Sequence, residues 1–283
     1  GPAERERRDQ ENRRAHGEEH RSKRRRAVAL HGIRASASNG PSVAEGLEPL
    51  NRRRALPSRE ARHSLRAMIR LDHIVFAARD LAEGREWMAA RLGVPAQGGG
   101  AHPGMGTHNA LWRLGAAYLE VIAPDPDAPP PGRARMFGLD RPGTATRLAA
   151  GPALVAWVAA TDDLDAALAA ATEDFGPALP LSRGDLSWRL TVTADGVPPL
   201  EGALPALIEW PPGAHPVARM EDRGLRLARL ACRTSAAARA RAALDALDGA
   251  ALIDLTPGDE AAALFCEIET PSGPVRFGSE PAA

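Results

Sequence analysis

The stretch LDHIVFAARDLAEGREWMAARLG at residues 71–93 has a counterpart later in the chain, LVAWVAATDDLDAALAAATEDFG at residues 154–176. Each copy begins with an apolar strand pattern, continues through an Asp-Leu turn and ends with an amphipathic helix pattern. The turns contain Asp80 and Asp163, which set the alignment of the two copies. The chain therefore contains a repeated strand–helix unit.

The repeat extends to a later strand in each copy, YLEVI in the first and ALIEW in the second. This alignment places His73 over Ala156 and Glu120 over Glu209. His73 and Glu120 each lie in the middle of an apolar strand, where burying an unpaired polar group costs free energy. A divalent metal ion is the simplest single partner for both side chains.

Length, charge and glycine–proline content divide the chain into regions. Residues 1–67 hold 17 basic and 9 acidic side chains, a net charge of +8, and the remainder carries −8. The mildly acidic remainder argues against a nucleic-acid-binding surface there. We expect residues 1–67 to be a disordered Arg-rich extension. Residues 68–220 should form a domain of two strand–helix–strands units, at 68–133 and 151–216. Residues 221–283 should form a third such unit, without histidine, that packs on this domain.

The N-terminal extension has two interpretations. It lacks a sustained apolar period, which is typical of disorder, and Met68 stands where a natural start would be expected, so residues 1–67 could precede the native chain. The alternative is that the basic run RSKRRR binds nucleic acid or anionic lipid.

Cysteine usage and hydropathy indicate a cytoplasmic protein. Cys232 and Cys266 are widely separated and lie in apolar runs, so we expect buried free thiols in a reducing compartment. No run of 18 apolar residues is present, which predicts no membrane span. The glycine-rich segment 97–106 is predicted to be a loop, and the proline-rich segment 124–133 an extended connection.

Several motifs together resemble a known family: LDHIVFAARDL, HPGMGTHNALWRLG, AYLEVIAPDP, LVAWVAATDDL, LSWRLT and ALIEW. Over residues 68–220 the chain resembles the vicinal oxygen chelate superfamily, which includes glyoxalase I, bleomycin-resistance proteins and extradiol dioxygenases. The closest likeness is to its glyoxalase-like domain proteins. The resemblance implies an α+β fold in which tandem βαβββ modules form a cupped mixed sheet, here with a third partial module.

The resemblance also implies metal ligands on the first and fourth strands of each module. His73 and Glu120 match the first module's positions and Glu209 one of the second's, whereas Ala156 departs from the pattern. We expect His108 to complete the site, with His215 as the second choice. Such a ligand set suits divalent Fe, Mn, Ni or Zn.

The remaining expected roles concern the substrate. Glu209, if it is not a ligand, is the predicted general base. The predicted substrate contacts are Asn109, Trp112, Trp157 and Arg189.

Each candidate also has a purely structural interpretation. His73 could be a core histidine bonded to a backbone carbonyl, and Glu120 could pair with an arginine. His108 could brace the glycine-rich loop, in which His102 would be an ordinary loop residue.

Two functions follow from the resemblance. The first is a metal-dependent lyase, isomerase or dioxygenase that chelates two substrate oxygens. The alternative is a metal-free protein that sequesters a small ligand, which the alanine at position 156 favours. In either case we expect a small-molecule partner, no nucleic acid or membrane, and a monomer or homodimer.

Overall fold

The computed structural model describes residues 68–278, so the expectations for residues 1–67 lie outside the described residues. The chain first forms a βαβββ module in which one helix follows the first strand. Its elements are β1 (Arg70–Ala77), α1 (Leu81–Leu92), β2 (Gly98–His102), β3 (Thr107–Leu114) and β4 (Ala117–Pro124).

The segment between the two modules fills the interior of the sheet. No helix or strand occupies residues 125–135, as the prolines predict, and a 3-10 turn then spans Met136–Gly138, before the short helix α2 (Thr144–Leu148). Phe137 is buried and has a left-handed backbone (φ 62°, ψ 25°). A non-glycine residue rarely adopts this conformation, so packing must hold the ring inside the sheet.

The second module repeats the first. Its elements are β5 (Ala153–Ala160), α3 (Leu164–Ala170), β6 (Ala178–Arg183), β7 (Leu186–Thr191) and β8 (Ala206–Glu209). The predicted Asp-Leu turns are helix N-caps: the carboxylate of Asp80 accepts a hydrogen bond from Glu83 N, and that of Asp163 accepts one from Ala166 N, both at 2.9 Å.

Both modules join in one eight-stranded mixed sheet with the order β2-β3-β4-β1-β5-β8-β7-β6. The central pair β1–β5 is antiparallel, and within each module the first and last strands are parallel. Edge strands β2 and β6 contact each other, so the sheet curls into a nearly closed cup. The predicted α+β fold of tandem βαβββ modules is confirmed.

A second sheet follows, with elements β9 (Arg226–Thr234), α4 (Ala237–Ala246), β10 (Asp254–Pro257), β11 (Ala263–Thr270) and β12 (Gly273–Phe277). Its strand order, β10-β9-β11-β12, differs from that of the two modules. It packs on the outer face of the cup, where Phe277 contacts Phe76 and Trp87 at ring distances of 5.0 and 5.7 Å. Cys232 and Cys266 are buried there as free thiols, as expected.

Two strands were not predicted, β2 and β6, and both are the outermost strands of their modules. Segment 98–102 is a strand and not a loop, because glycine lets its backbone lie unusually close to β3. A side chain at Gly99 (φ 137°) would overlap the carbonyl oxygen of Asn109. Within residues 68–278, no helix is long and apolar enough to cross a membrane.

Candidate functional site

His73 and Glu120 meet inside the cup. The Nε2 atom of His73 lies 3.3 Å from Glu120 Oε2, and its Nδ1 atom lies 2.6 Å from Asp72 Oδ1. All three side chains are buried. Because both ring nitrogens face carboxylate acceptors, both carry protons and the ring is an imidazolium. Tyr118 stacks on this ring at 4.3 Å between centroids.

The charges of this group stabilise one another. Burial alone would lower the pKa of His73, but its hydrogen bonds to Asp72 and Glu120 raise the pKa above the ordinary 6.5. Burial would likewise raise the pKa of Glu120, yet His73 lowers it from 4.5 to about 2. The pKa of Asp72 also falls well below its ordinary value, against the effect of burial, because His215 and His73 bond to it. With both carboxyl groups ionised and His73 protonated between them, the three side chains together carry one net negative charge.

A second polar chain approaches Glu120 from β2 and β3. Asn109 donates to Glu120 Oε1 at 2.6 Å, and its Nδ2 lies 3.3 Å from His102 Nε2. His102 in turn contacts Thr107 Oγ1 through Nδ1 at 3.0 Å. Burial lowers the pKa of His102 to about 4, so this ring is neutral at pH 7. These contacts occupy both oxygens of Glu120.

Asp72 links the buried group to the second module. Its Oδ2 atom accepts a hydrogen bond from Trp210 Nε1 at 3.0 Å and lies 3.2 Å from His215 Nε2. His215 is partly exposed, and its Nδ1 accepts from Val217 N at 3.4 Å. His215, the second choice for a metal ligand, therefore contacts Asp72 and is linked to His73 only through that carboxylate.

The second module offers no counterpart to these side chains. Strand register pairs Val75 with Glu120 in the first module and, at the equivalent position, Val158 with Ala206 in the second. The counterpart of Glu120 is therefore Ala206, and the counterpart of His73 is Ala156. The expected equivalence of Glu120 and Glu209 is wrong by three residues, and an odd shift turns a strand side chain to the opposite face.

Glu209 accordingly lies outside the cup with Arg189. Its carboxylate accepts from Leu164 N at 3.3 Å, at the start of α3, and from Arg189 at 3.0 Å. Arg189 also pairs with Asp165 at 2.6 Å. The structure does not bring Glu209 or Arg189 together with His73.

Three other expected site residues also lie outside the cup. Glu120 pairs with Leu111 across β3 and β4, so odd-numbered β3 residues share its face and His108 does not. The rings of Trp112 and Trp157 are fully buried in the outer core, where their indole N–H groups donate to Val94 O (2.8 Å) and Ala203 O (3.4 Å). Of the predicted substrate contacts, only Asn109 joins the buried group.

Three residues near this site were not predicted from the sequence, namely Asp72, Arg183 and Trp210, and His102 was expected to be a loop residue. The LDH and HPGMG motifs contain the only local signals for Asp72 and His102. Together with Tyr118, Trp188 and Phe137, most of these side chains line a narrow cavity of about 20 Å³ beside the His73–Glu120 contact. This free space is enough for one water molecule or one small chemical group.

A larger groove adjoins the same wall. It has a volume of about 910 Å³ and shares Trp188 and Trp210 with the narrow cavity. The two indole rings lie 5.0 Å apart. Asp72, His215, Arg189 and Glu209 also line the groove. Its size falls within the range of small-molecule sites, roughly 300–1,000 Å³.

The donor set does not fit a resident metal ion. Both nitrogens of His73 and both oxygens of Glu120 are engaged by neighbouring side chains, and the second module supplies alanine at both ligand positions. Within the described range 68–278, no group of three or more His, Cys, Asp or Glu side chains has an arrangement that could hold a metal.

Comparisons with solved structures give low overall similarity. A hypothetical protein from Staphylococcus aureus is 12% identical with a TM-score of 0.45, covering 76% of this chain and 86% of that one. A methylmalonyl-CoA epimerase from Mycobacterium tuberculosis is 23% identical with a TM-score of 0.35, covering 50% of this chain and 88% of its own. These TM-scores are too low to carry a functional argument.

Sequence comparison is more informative about the family. No curated protein matches the chain significantly. The family model described as the glyoxalase-like domain, however, matches residues 71–247, which is more than half of the chain and includes both modules. The chain belongs to the glyoxalase-like domain family.

Proposed function

We propose that this domain binds a small organic molecule in its cup without a resident metal ion, as a sequestering protein of the bleomycin-resistance kind would. The observation that carries the proposal is the pair of alanines, Ala156 and Ala206, at the second module's ligand positions. With these positions empty of donors, His73 and Glu120 satisfy each other directly. A metal would have to displace hydrogen bonds that already compensate their burial.

The groove supports the ligand-binding half of the proposal. Indole rings such as Trp188 and Trp210 provide a large apolar contact area for a flat ligand. Polar groups at the same wall, above all Asp72 and His215, can orient such a ligand by hydrogen bonds. Few convergent polar groups on an otherwise apolar lining are typical of small-ligand sites.

A metal-dependent lyase, isomerase or dioxygenase is the second candidate. It is favoured by the convergence of His73, His102 and Glu120 on one narrow cavity, since two histidines and one carboxylate are a common ligand set. For this candidate, the Asn109–Glu120 hydrogen bond would have to break to free a carboxylate oxygen.

Elemental analysis separates the two candidates. Full-length protein purified without chelators should contain far less than one equivalent of Fe, Mn, Ni or Zn, and chelator treatment should leave its melting temperature unchanged. About one equivalent of metal that is lost in His73→Ala and retained in His108→Ala would contradict the proposal and favour the enzyme. His108 is a suitable control because it lies on the other face of the sheet.

Ligand binding needs its own measurement. We expect a flat aromatic probe such as benzamide to change the intrinsic tryptophan fluorescence in a saturable way. The change should be lost in Trp188→Phe and kept in Arg219→Gln, which lies in an exposed ion pair with Asp185. No saturable signal from a panel of such probes would contradict the binding function.

A further inference from the structure

Arg183 is a largely buried cation that contacts the ring of Trp188. It is 8% exposed, and no described residue offers it a hydrogen bond or an ion pair. A guanidinium carries five N–H donors in a planar fork. None of the Arg183 nitrogens is a fully enclosed atom without a partner, so these donors are accessible from the cavity. Its side chain lines the narrow cavity that contains His73 and Glu120. The guanidinium donors are therefore available to a molecule that enters this cavity.

The strand pairing places the Arg183 side chain close to His73 and Glu120. Arg183 ends β6, at the hairpin to β7, where β6 meets β2 across the closure of the cup. Gly100 on β2 leaves the space that Arg183 occupies, since a Cβ atom there would lie 3.1 Å from Arg183 Cγ. On its other side the guanidinium carbon lies 5.8 Å from the centre of the Trp188 ring.

The carboxylates already in the cavity do not serve Arg183. His73 and Asn109 engage the two oxygens of Glu120, and Asp72 bonds His73, Trp210 and His215. His102 is neutral at pH 7 and offers no charge. A ligand that enters the cavity can therefore supply an acceptor for Arg183.

Charge balance limits what this ligand can be. Asp72, His73 and Glu120 together carry one net negative charge, and Arg183 brings the cavity to neutrality. A monoanion can be accommodated, whereas a dianion such as phosphate would add two negative charges beside two buried carboxylates. The planar fork of a guanidinium matches a carboxylate in a bidentate pair.

We propose that Arg183 binds the carboxylate of a small aromatic or apolar monocarboxylic acid whose body contacts Trp188 and Trp210. This inference rests on the proposed function, because it names the chemical class of the ligand that the cup takes up. The carboxylate is the small group that the narrow cavity admits. The body of the acid lies against the indole wall shared with the groove.

Benzoate, its neutral isostere benzamide and inorganic phosphate test the proposal by calorimetric titration. Wild-type protein should bind benzoate at least about tenfold more tightly than benzamide, since a charge-assisted bidentate pair is worth over about 1.4 kcal/mol. Arg183→Gln should reduce benzoate affinity to that of benzamide, and Arg183→Lys should restore only part of it. Arg219→Gln should bind both probes as the wild type does.

The possible outcomes separate the inference from the function. Equal binding of benzoate and benzamide to the wild type overturns the role of Arg183 but leaves the binding function intact, and so does tighter binding of phosphate. Failure of both organic probes on the wild type overturns the binding function together with this inference. If Arg183→Gln does not fold, the wild-type comparison and the benzoate-induced shift of the Arg183 Nε–H resonance still decide the matter.

Discussion

Asp72 and His73 are neighbours in sequence, and their side chains contact each other at 2.6 Å. Successive side chains of a regular strand point to opposite faces. Here the register of β1 against β5 shifts between Leu71 and His73, which leaves Asp72 without a partner across the ladder. This irregularity is a β-bulge, a feature that often redirects side chains next to functional sites. It brings a second carboxylate to a histidine that already contacts Glu120.

The stability of the folded chain should be greatest in a window of mildly acidic pH. The pKa of His73 is raised above 6.5, so its contribution is full below pH 6.5 and is lost as the pH rises through the folded value. The pKa of Glu120 falls from 4.5 to about 2, so its contribution is present above pH 4.5 and is lost as the pH falls toward 2. Between these limits both contributions are present.

Urea unfolding from about pH 3 to about pH 9 measures this window. The variant His73→Gln should flatten the profile, because it removes the group that couples to both carboxylates. His108→Gln should retain the wild-type shape. Profiles of the same shape for wild type and His73→Gln would contradict the charge pairing of His73 with Asp72 and Glu120.

Two glutamates on the last strands of the two modules, Glu120 and Glu209, should differ sharply in their effect on stability. Glu120→Gln removes the charge that pairs with the buried His73 imidazolium, and we expect a loss of about 3–5 kcal/mol in the free energy of unfolding. Glu209→Gln weakens a partly exposed pair with Arg189 and should cost less than about 1 kcal/mol. Chemical denaturation at neutral pH gives both values, and equal losses would argue against the burial difference.

The sequence predicted the elements whose signals are local. The alternating apolar strands and the capping residues Asp80 and Asp163 lie within a few residues of the elements they specify, and these elements form as expected. Edge strands β2 and β6 carry weaker patterns, glycines in one and Pro180 in the other, and were missed. Their pairing depends on neighbours that the local sequence does not reveal.

The candidate site was predictable only in part, for a related reason. His73 and Glu120 were found because each is polar within a buried strand. The position of Glu209 depended on the register of β8, and short apolar strands such as ALIE can be aligned in several registers that differ in the exposed face. Arg183 was missed because it lies at the end of an unpredicted strand.

Two glycines of the HPGMG region should respond oppositely to alanine. At Gly99 (φ 137°) a methyl group would overlap the carbonyl oxygen of Asn109, so Gly99→Ala should lower the free energy of unfolding by at least about 1–3 kcal/mol. At Gly104 nothing lies within 4 Å of an added Cβ, so Gly104→Ala should be neutral or stabilise by about 0.4–1 kcal/mol. Comparable effects of the two variants would contradict the placement of β2 against β3.

Phe137 has both a buried ring and a strained, left-handed backbone. Replacing it with glycine and with alanine separates the effect of the ring from the effect of the strain. Either replacement removes a buried ring, at a cost of about 3–5 kcal/mol for alanine. The left-handed backbone (φ 62°) costs alanine about 1–2 kcal/mol, whereas glycine adopts it freely. Phe137→Gly should therefore unfold at a higher urea concentration than Phe137→Ala.

The order of the two variants should reverse at Phe175, which is equally buried but does not have a positive φ. There glycine only adds conformational freedom to the unfolded chain, so Phe175→Gly should be less stable than Phe175→Ala by about 0.4–1 kcal/mol. The same order at both positions would mean that Phe137 is not strained.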